Sequence, residues 1–308
     1  MRVLITRKIN SSAKELLEKA SFEVVSFDVN KPLDPQYISE NIDKFDSILT
    51  CVSEKIDRNI MLKAKGRLKI ISNMAVGLDN IDVESAAELG IKVFNTPGVV
   101  TGPTADLTLS VAFALLRKVT EADNFVRKGQ WKAWDPEIFL GRNFSSLVWG
   151  IIGYGNIGKA VAKRLSGFGM SIIFYDPVKI RSDNFAKYTG VEELLITSDV
   201  ISLHLPLTDA TRDFFNLEKF CLMKKDALLI NMARGGVVNS SDLLETLKQK
   251  RIAGAALDVF SPEPIPFGHE ILSFKNVLLT PHIGTATVEC RKEMAEYAAK
   301  NIISNSKF

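Results

Sequence analysis

The stretch Val148 to Asp176, VWGIIGYGNIGKAVAKRLSGFGMSIIFYD, has the order strand, glycine-rich turn, helix and second strand, and it ends in an acid. Residues 149–152 form a short apolar run typical of a buried strand, and residues 160–165 carry apolar side chains at helical spacing. The turn between them, residues 153–158, reads G-Y-G-N-I-G. This order predicts a βαβ unit of a doubly wound parallel sheet.

The glycine turn has the chemistry of a dinucleotide-binding site. Gly153 permits a tight turn, Gly155 lets the backbone approach a pyrophosphate, and Gly158 lets the helix pack closely on the strand. The start of the helix offers unpaired N–H groups and a positive dipole end to the phosphates. Asp176 stands where a carboxylate hydrogen-bonds the ribose hydroxyls of NAD and repels the extra phosphate of NADP. The stretch therefore predicts NAD as the cofactor.

Length and composition set the class of protein. A chain of 308 residues exceeds the usual size of one domain. Its net charge of +3, from 39 basic and 36 acidic side chains, is too balanced to indicate a nucleic-acid partner. No apolar run approaches the ~18 residues of a membrane span, and the first apolar run is too short for a signal peptide. The cysteines are few and widely spaced, so we expect a cytoplasmic protein with no disulfide framework and no metal site.

The first 98 residues alternate short apolar runs with helical patterns, which implies a parallel sheet covered on both faces. Ligands bind beyond the carboxyl ends of such strands, so the loops 51–54 and 74–77 are candidate binding loops. The predicted strands are 3–5, 22–27, 47–50, 68–72 and 92–94, and the predicted helices are 12–20, 35–42, 58–64 and 83–89. The predicted N-caps of these helices are Asn10, Ser11 or Ser12 for the first, and Asp34, Asp57 and Asp82 for the others.

The turn clusters 95–98 and 281–285 are the predicted crossings between two domains. A helix over 104–119 is apolar almost all round, so it is either deeply buried or packed against another subunit. We predict an α/β chain with two doubly wound domains, in which a Rossmann NAD-binding domain (99–284) is inserted into a flavodoxin-like substrate domain (1–98 and 285–308). Six strands are predicted in the inserted domain, at 149–152, 172–175, 199–203, 227–232, 253–259 and 276–280, and a helix over 286–303 ends the chain.

Three late segments each place one functional side chain after a predicted strand: Arg234, Glu263 and His282. The planar guanidinium of an arginine followed by two glycines can donate paired hydrogen bonds to a carboxylate or bond a ketone oxygen. Taken singly, a histidine is more often structural, an arginine is often a surface charge, and a glutamate between prolines is often a solvated loop acid. The combination is what indicates a catalytic site.

These segments, in this order, resemble the D-isomer-specific 2-hydroxyacid dehydrogenases, the family of D-3-phosphoglycerate dehydrogenase and of glyoxylate and hydroxypyruvate reductases. The resemblance implies hydride transfer between a nicotinamide and a small 2-oxo or 2-hydroxy acid. Glyoxylate or hydroxypyruvate is favoured over a phosphorylated acid, because no basic residues for a phosphate are evident in the loops 51–54 and 74–77. The matching segments cover nearly the whole chain: 75–82, 153–158, 204–208, 232–236, 257–264 and 281–284.

The resemblance also implies a role for individual positions. Arg234 would bind the substrate carboxylate and polarise the carbonyl, His282 would act as general acid and base, and Glu263 would hold the imidazole. Further substrate contacts are implied for Val52, Ser53, Val76 and Gly77. A homodimer through the 104–119 region is also implied. Cofactor contacts are implied for Gly153, Tyr154, Gly155, Asn156, Ile157, Gly158, Asp176, Pro177, His204, Pro206, Met232, Ala233, Asp258, His282 and Gly284, with Asp258 near the nicotinamide carboxamide.

Other interpretations stay open at this point. NAD(H)-sensing transcriptional corepressors share this fold and keep the Arg, Glu and His, but they carry extra peptide-binding and disordered segments that are not evident here. Formate dehydrogenases usually have glutamine beside the histidine, so Glu263 argues against them. Lys179 and Arg181 follow Asp176 closely, which leaves partial tolerance of NADP open.

Overall fold

The computed structural model describes residues 1–28, 30–178 and 181–306. The chain forms two compact units, Met1–Val100 with Thr285–Phe308, and Thr101–Gly284. The strands are β1 (Arg2–Ile5), β2 (Glu23–Ser26), β3 (Ser47–Thr50), β4 (Ile70–Asn73), β5 (Lys92–Phe94), β6 (Val148–Ile152), β7 (Ser171–Tyr175), β8 (Lys187–Tyr188), β9 (Val200–Leu203), β10 (Leu228–Asn231), β11 (Gly254–Leu257) and β12 (Val277–Leu279). The α-helices are α1 (Ser12–Lys19), α2 (Pro35–Asn41), α3 (Arg58–Lys63), α4 (Val83–Glu88), α5 (Thr101–Leu116), α6 (Val119–Arg127), α7 (Asn156–Leu165), α8 (Val191–Thr197), α9 (Leu217–Leu222), α10 (Ser240–Lys248) and α11 (Val288–Asn305).

The first unit is built on a five-stranded parallel sheet in the order β2-β1-β3-β4-β5, the flavodoxin-like order. Strands β3 and β4 are buried along their whole length, as expected for a parallel sheet with helices on both faces. Helix α11 packs against α1 and β4. Asp34, Asp57 and Asp82 accept hydrogen bonds from the first turns of α2, α3 and α4, which confirms the predicted N-caps.

The second unit is built on a seven-stranded parallel sheet in the order β12-β11-β10-β9-β6-β7-β8. From β6 the chain runs outward to β7 and β8, and it then resumes at β9 on the other side of β6. The topological switch point, where such sheets bind ligands, therefore lies between β6 and β9. The sequence predicted six strands here and missed β8, because two residues are too few to show a periodic pattern.

Helix α5 differs from its prediction at both ends. It begins three residues earlier, at Thr101, which places Pro103 in the first turn, where a helix tolerates proline. It ends at Leu116 because Lys118 takes a left-handed conformation, with φ of 52°, and starts α6. The helix packs against α7, β10 and β11, so much of its apolar surface is buried within its own unit. Within the described ranges, no helix is long and apolar enough to cross a membrane.

Candidate active site

Arg234, Glu263 and His282 follow three adjacent strands, β10, β11 and β12, at the carboxyl edge of the second sheet. His282 Nδ1 lies 2.5 Å from Glu263 Oε1. The other carboxylate oxygen, Oε2, accepts a hydrogen bond from the backbone N–H of Phe260 at 3.1 Å. Arg234 is near enough for its charge to act on the Glu263 carboxylate. The structure therefore brings together the three side chains that the sequence had only placed after separate strands.

Glu263 is held in its ionised form. Burial acts to raise its pKa, but the hydrogen bond and charge of His282, the Phe260 N–H and the charge of Arg234 together outweigh burial, and the pKa of Glu263 lies below its ordinary value. An ionised carboxylate only accepts hydrogen bonds, so Nδ1 of His282 must carry the proton that the two share. This leaves Nε2 as the ring atom able to exchange a proton with another molecule.

The loop that carries His282 has an unusual backbone. His282 has a φ of 54°, in the left-handed region that few non-glycine residues adopt. Its backbone N–H donates to the carbonyl oxygens of Asp258 and Thr280. The buried carboxylate of Asp258 accepts from Thr280 Oγ1 at 2.6 Å and from the N–H groups of Ile283 and Gly284 at 2.8 Å each. Asp258 therefore fixes this loop, a role that the sequence did not reveal.

The turn that carries Arg234 is braced in a similar way. Asn231 Oδ1 accepts from the Ala233 N–H at 3.1 Å, and Asn231 Nδ2 donates to the Arg234 carbonyl at 3.0 Å. Arg234 Nη1 donates to the Ala233 carbonyl at 2.9 Å. A side chain on Gly235 would collide with the backbone of Phe260, so a glycine is required where the β10 and β11 loops meet.

The glycine turn fits a dinucleotide. Gly153 has a φ of 94°, and a Cβ there would press on the backbone of His204 at the switch point. A Cβ on Gly158 would collide with the Gly153 carbonyl, whereas a Cβ on Gly155 would meet nothing within 4 Å. The open space at Gly155 is the room that a pyrophosphate needs to approach the backbone. Helix α7 begins at Asn156 without a side-chain cap, which leaves its first N–H groups to a phosphate.

The carboxylate of Asp176 is fixed beside this turn. Its Oδ2 accepts from the Tyr154 N–H at 2.7 Å, and its Oδ1 accepts from the Val178 N–H at 2.9 Å. A carboxylate placed here can accept hydrogen bonds from ribose hydroxyls. Arg181 is exposed, and Lys179 lies outside the described residues.

His204 offers an unused donor at the switch point. Trp149 Nε1 can only donate, and it bonds Ser202 Oγ at 2.9 Å, so the Ser202 proton is directed to His204 Nε2 at 3.1 Å. The proton of the ring therefore resides on Nδ1, a buried atom with no partner among the residues that the structure describes. Burial lowers the pKa of His204 to about 3, which keeps the ring neutral. An orphaned donor here suits an oxygen of a bound nicotinamide dinucleotide.

The remaining predicted cofactor residues lie at the same carboxyl edge of the second sheet, and their contacts stay predictions. They follow β6 (Tyr154, Asn156, Ile157), β7 (Pro177), β9 (Pro206), β10 (Met232, Ala233) and β12 (Gly284).

The predicted substrate loops lie at the carboxyl edge of the first sheet, after β3 and β4. Arg7, which follows β1, donates from Nη1 to Ser53 Oγ at 2.7 Å. Arg7 lies outside the loops 51–54 and 74–77, and the sequence did not reveal it as a neighbour of Ser53. The charge of Arg7 is partly offset by the buried Glu54 carboxylate, 3.9 Å from Nε. The rule that ligands bind beyond strand ends, applied to the predicted strand 3–5, would have found Arg7.

Two parallel α/β units, one with a dinucleotide turn at its switch point, are the architecture of a protein that binds a dinucleotide. Residues 109–284 match the family model for the NAD-binding domain of D-isomer specific 2-hydroxyacid dehydrogenases. A glyoxylate reductase of Thermococcus litoralis is 43% identical over 99% of this chain and 94% of its own length. The chain belongs to the D-isomer-specific 2-hydroxyacid dehydrogenase family, which confirms the resemblance seen in the sequence.

Solved structures agree with this assignment. A protein of Thermus thermophilus is 40% identical with a TM-score of 0.91, and the match covers 98% of this chain and 95% of that one. An NADPH-dependent glyoxylate/hydroxypyruvate reductase of Sinorhizobium meliloti, in complex with NADP and malonate, is 30% identical with a TM-score of 0.86. That match covers 99% of this chain and 93% of the reductase. The protein is therefore an oxidoreductase of 2-hydroxy acids.

Proposed function

We propose that this protein is an NAD(H)-dependent reductase of glyoxylate or hydroxypyruvate, with D-3-phosphoglycerate as the next candidate substrate. The observation that carries the proposal is the 2.5 Å contact between His282 and the ionised Glu263, with Arg234 beside them. The relatives named glyoxylate reductase support the choice of a small 2-oxo acid.

In this proposal each residue of the three has one task. Arg234 binds the substrate carboxylate with its planar fork and polarises the carbonyl. His282 donates its Nε2 proton to the carbonyl oxygen during reduction and takes a proton back during oxidation. Glu263 holds the ring through Nδ1 and stabilises the imidazolium form. When bound, the reduced nicotinamide supplies the hydride.

The remaining substrate contacts are proposed for the first unit. Val52 and Ser53 follow β3, and Val76 and Gly77 follow β4. The hydroxyl of Ser53 is held by Arg7, and the charge of Arg7 is partly offset by Glu54. This pairing favours a small polar substrate over one that carries a phosphate.

NAD is the proposed cofactor. The Asp176 carboxylate beside the glycine turn offers acceptors to the ribose hydroxyls and opposes a phosphate in the same place. One relative is NADPH-dependent, so turnover with NADH and with NADPH is compared below.

A homodimer in the cytoplasm, formed through the 104–119 region, completes the proposal. Beyond α5, the exposed apolar side chains include Trp131 and Trp134, with 59% and 81% of their surface accessible. Val119, Val126 and Leu140 are also exposed in this part of the chain. Clustered exposed apolar side chains mark protein contacts, and a second copy is the partner proposed here.

The first test follows the loss of reduced-nicotinamide absorbance with glyoxylate, hydroxypyruvate, pyruvate and phosphohydroxypyruvate, each with NADH and with NADPH. We expect the fastest turnover with one of the first two acids and NADH. Faster turnover with NADPH would contradict the role given to Asp176. No turnover on any acid, with NADH still bound, would favour the NAD(H)-sensing corepressor instead.

The second test replaces His282 with Ala. We expect kcat to fall by roughly 100- to 10,000-fold, because the general acid is lost, while NADH binding is retained. His269→Ala is the matched control, since His269 caps a short 3-10 helix through Nδ1 and takes no part in the proposed chemistry. Near-normal turnover in His282→Ala would overturn the catalytic assignment.

A further inference from the structure

We propose that three asparagines, Asn73, Asn80 and Asn95, act as positioning residues that aim the Gly77 N–H at the substrate carboxylate. We call them the asparagine frame. The inference rests on the proposed function, since it assumes that the loop with Val76 and Gly77 receives a 2-oxo acid. It adds what holds that loop in a binding geometry.

Asn80 joins the two predicted substrate loops. Its Nδ2 donates to the carbonyls of Cys51 and Glu54, at 2.9 Å each, and its Oδ1 accepts from Asn73 Nδ2 at 2.9 Å. Only the amide nitrogen can donate to two carbonyls, so the orientation of this side chain is unambiguous. The loop after β3 and the loop after β4 are thereby tied to one group.

Asn73 carries the link onward into the second loop. It is fully buried at the end of β4, and its Nδ2 also donates to the Gly77 carbonyl at 2.9 Å. Each N–H of this amide therefore has an acceptor, one on Asn80 and one on Gly77. The position of the Gly77 carbonyl is thus tied to the loop after β3 through Asn80.

Asn95 fixes the orientation of the peptide between Val76 and Gly77. Its Nδ2 donates to the Val76 carbonyl at 2.8 Å. In a planar trans peptide the N–H of the next residue points opposite to the carbonyl, so holding the Val76 oxygen on one side turns the Gly77 N–H to the other. This N–H donates to no acceptor among the residues that the structure describes. It is a donor held in place and left unused.

Backbone hydrogen bonds hold both ends of the same loop. The Ala75 N–H donates to the Asn73 carbonyl, and the Ala75 carbonyl accepts from Thr96 N–H, at 2.8 Å each. At the other end, the Leu78 carbonyl accepts from Ile81 N–H at 2.9 Å. The loop between these anchors has little freedom, so its donors are preorganised before a substrate arrives.

The test uses Asn95→Ala in the full-length, NADH-loaded protein. The bond from Asn95 to Val76 is exposed, so its loss does not threaten folding. We expect KM for glyoxylate to rise about tenfold, as for a weakened hydrogen bond to a charged group, with kcat changed less than about twofold. The inhibition constant of oxalate, which presents the same carboxylate without reacting, should rise in parallel, while the NADH dissociation constant stays the same.

Asn41→Ala is the matched control. Asn41 lies in the same unit and also donates from Nδ2 to a backbone carbonyl, that of Tyr37 at 2.9 Å. Its KM and oxalate inhibition should match those of the wild type. If KM and oxalate binding are unchanged in Asn95→Ala and only Tm is lowered, Asn95 stabilises the fold but does not position the Gly77 N–H. That result would overturn the inference.

The two proposals fail separately. Wild-type protein that turns over no 2-oxo acid contradicts the proposed function. Oxalate binding by calorimetry still compares wild type with Asn95→Ala in that case, and equal affinity contradicts the frame alone.

Discussion

The carboxyl edges of the two sheets carry different kinds of side chains. The edge of the second sheet carries Arg234, Glu263 and His282, three groups that bear or exchange charge. The edge of the first sheet carries the asparagine frame, which is neutral and acts on the peptide groups of two loops. Under the proposed function, the second edge exchanges a proton through titratable groups in contact, whereas the first edge meets a fixed anion with oriented dipoles that do not change with pH.

Both edges depend on residues that brace the loops from behind. Asp258 holds the left-handed backbone at His282, and Asn80 holds the two loops of the first sheet together. In each case one side chain accepts or donates several hydrogen bonds to backbone groups. Preorganised polar groups of this kind need no rearrangement when the substrate arrives.

The largest difference between the two edges is expected from a change at the charged one. Arg234→Lys keeps the positive charge but loses the planar fork, so kcat/KM for glyoxylate should fall roughly 100-fold. Arg251→Lys is the control, since Arg251 is exposed and its guanidinium bonds only Gln249 and Cys221 among the described residues. A kcat/KM for Arg234→Lys within a factor of two of wild type would show that a positive charge alone is enough to bind the substrate at this edge. The difference in geometry between this edge and the asparagine frame would then matter less.

A smaller effect is expected from Glu263→Gln, measured as kcat/KM for reduction against pH. Reduction uses the protonated imidazole, and an amide does not stabilise that form as the ionised Glu263 does. We expect the whole profile of Glu263→Gln to lie about tenfold below that of wild type, because the imidazole loses a hydrogen bond to a charged group. Asn95→Ala should keep the wild-type pH profile, because the frame is neutral. Superimposable profiles for Glu263→Gln and wild type would remove Glu263 from the mechanism.

The smallest effect concerns stability in acid. The folded-state pKa of Glu263 is lowered, so its contribution is present above its unfolded pKa and is lost as pH falls through the folded value. Because the side chain is about one-third exposed, the contribution should be only about 0.5 kcal/mol.

Urea unfolding between pH 3 and pH 7 measures this difference. Glu263→Gln should be less stable than wild type near neutrality and should converge with it in acid. The deficit of Asn95→Ala should stay constant over the same range. A constant deficit for Glu263→Gln would show that its charge does not stabilise the fold.

The sequence by itself determined the fold class and the order of the functional segments. Burial patterns and turn residues act over a few positions, so strands such as β3 and β5 and the caps Asp34, Asp57 and Asp82 were predicted at their observed places. The glycine turn could also be predicted from the sequence, because close backbone approach admits only glycine at 153 and 158.

Only the tertiary structure decided which distant groups meet. The contacts of Arg7 with Ser53, of Asn80 with the loop 51–54, and of Glu263 with His282 join residues from different strand ends. No local pattern encodes these contacts, since they depend on strand order and on register across the sheet. The left-handed backbone of His282 belongs to the same class, because it is held by hydrogen bonds to Asp258 and not by its own conformational preference.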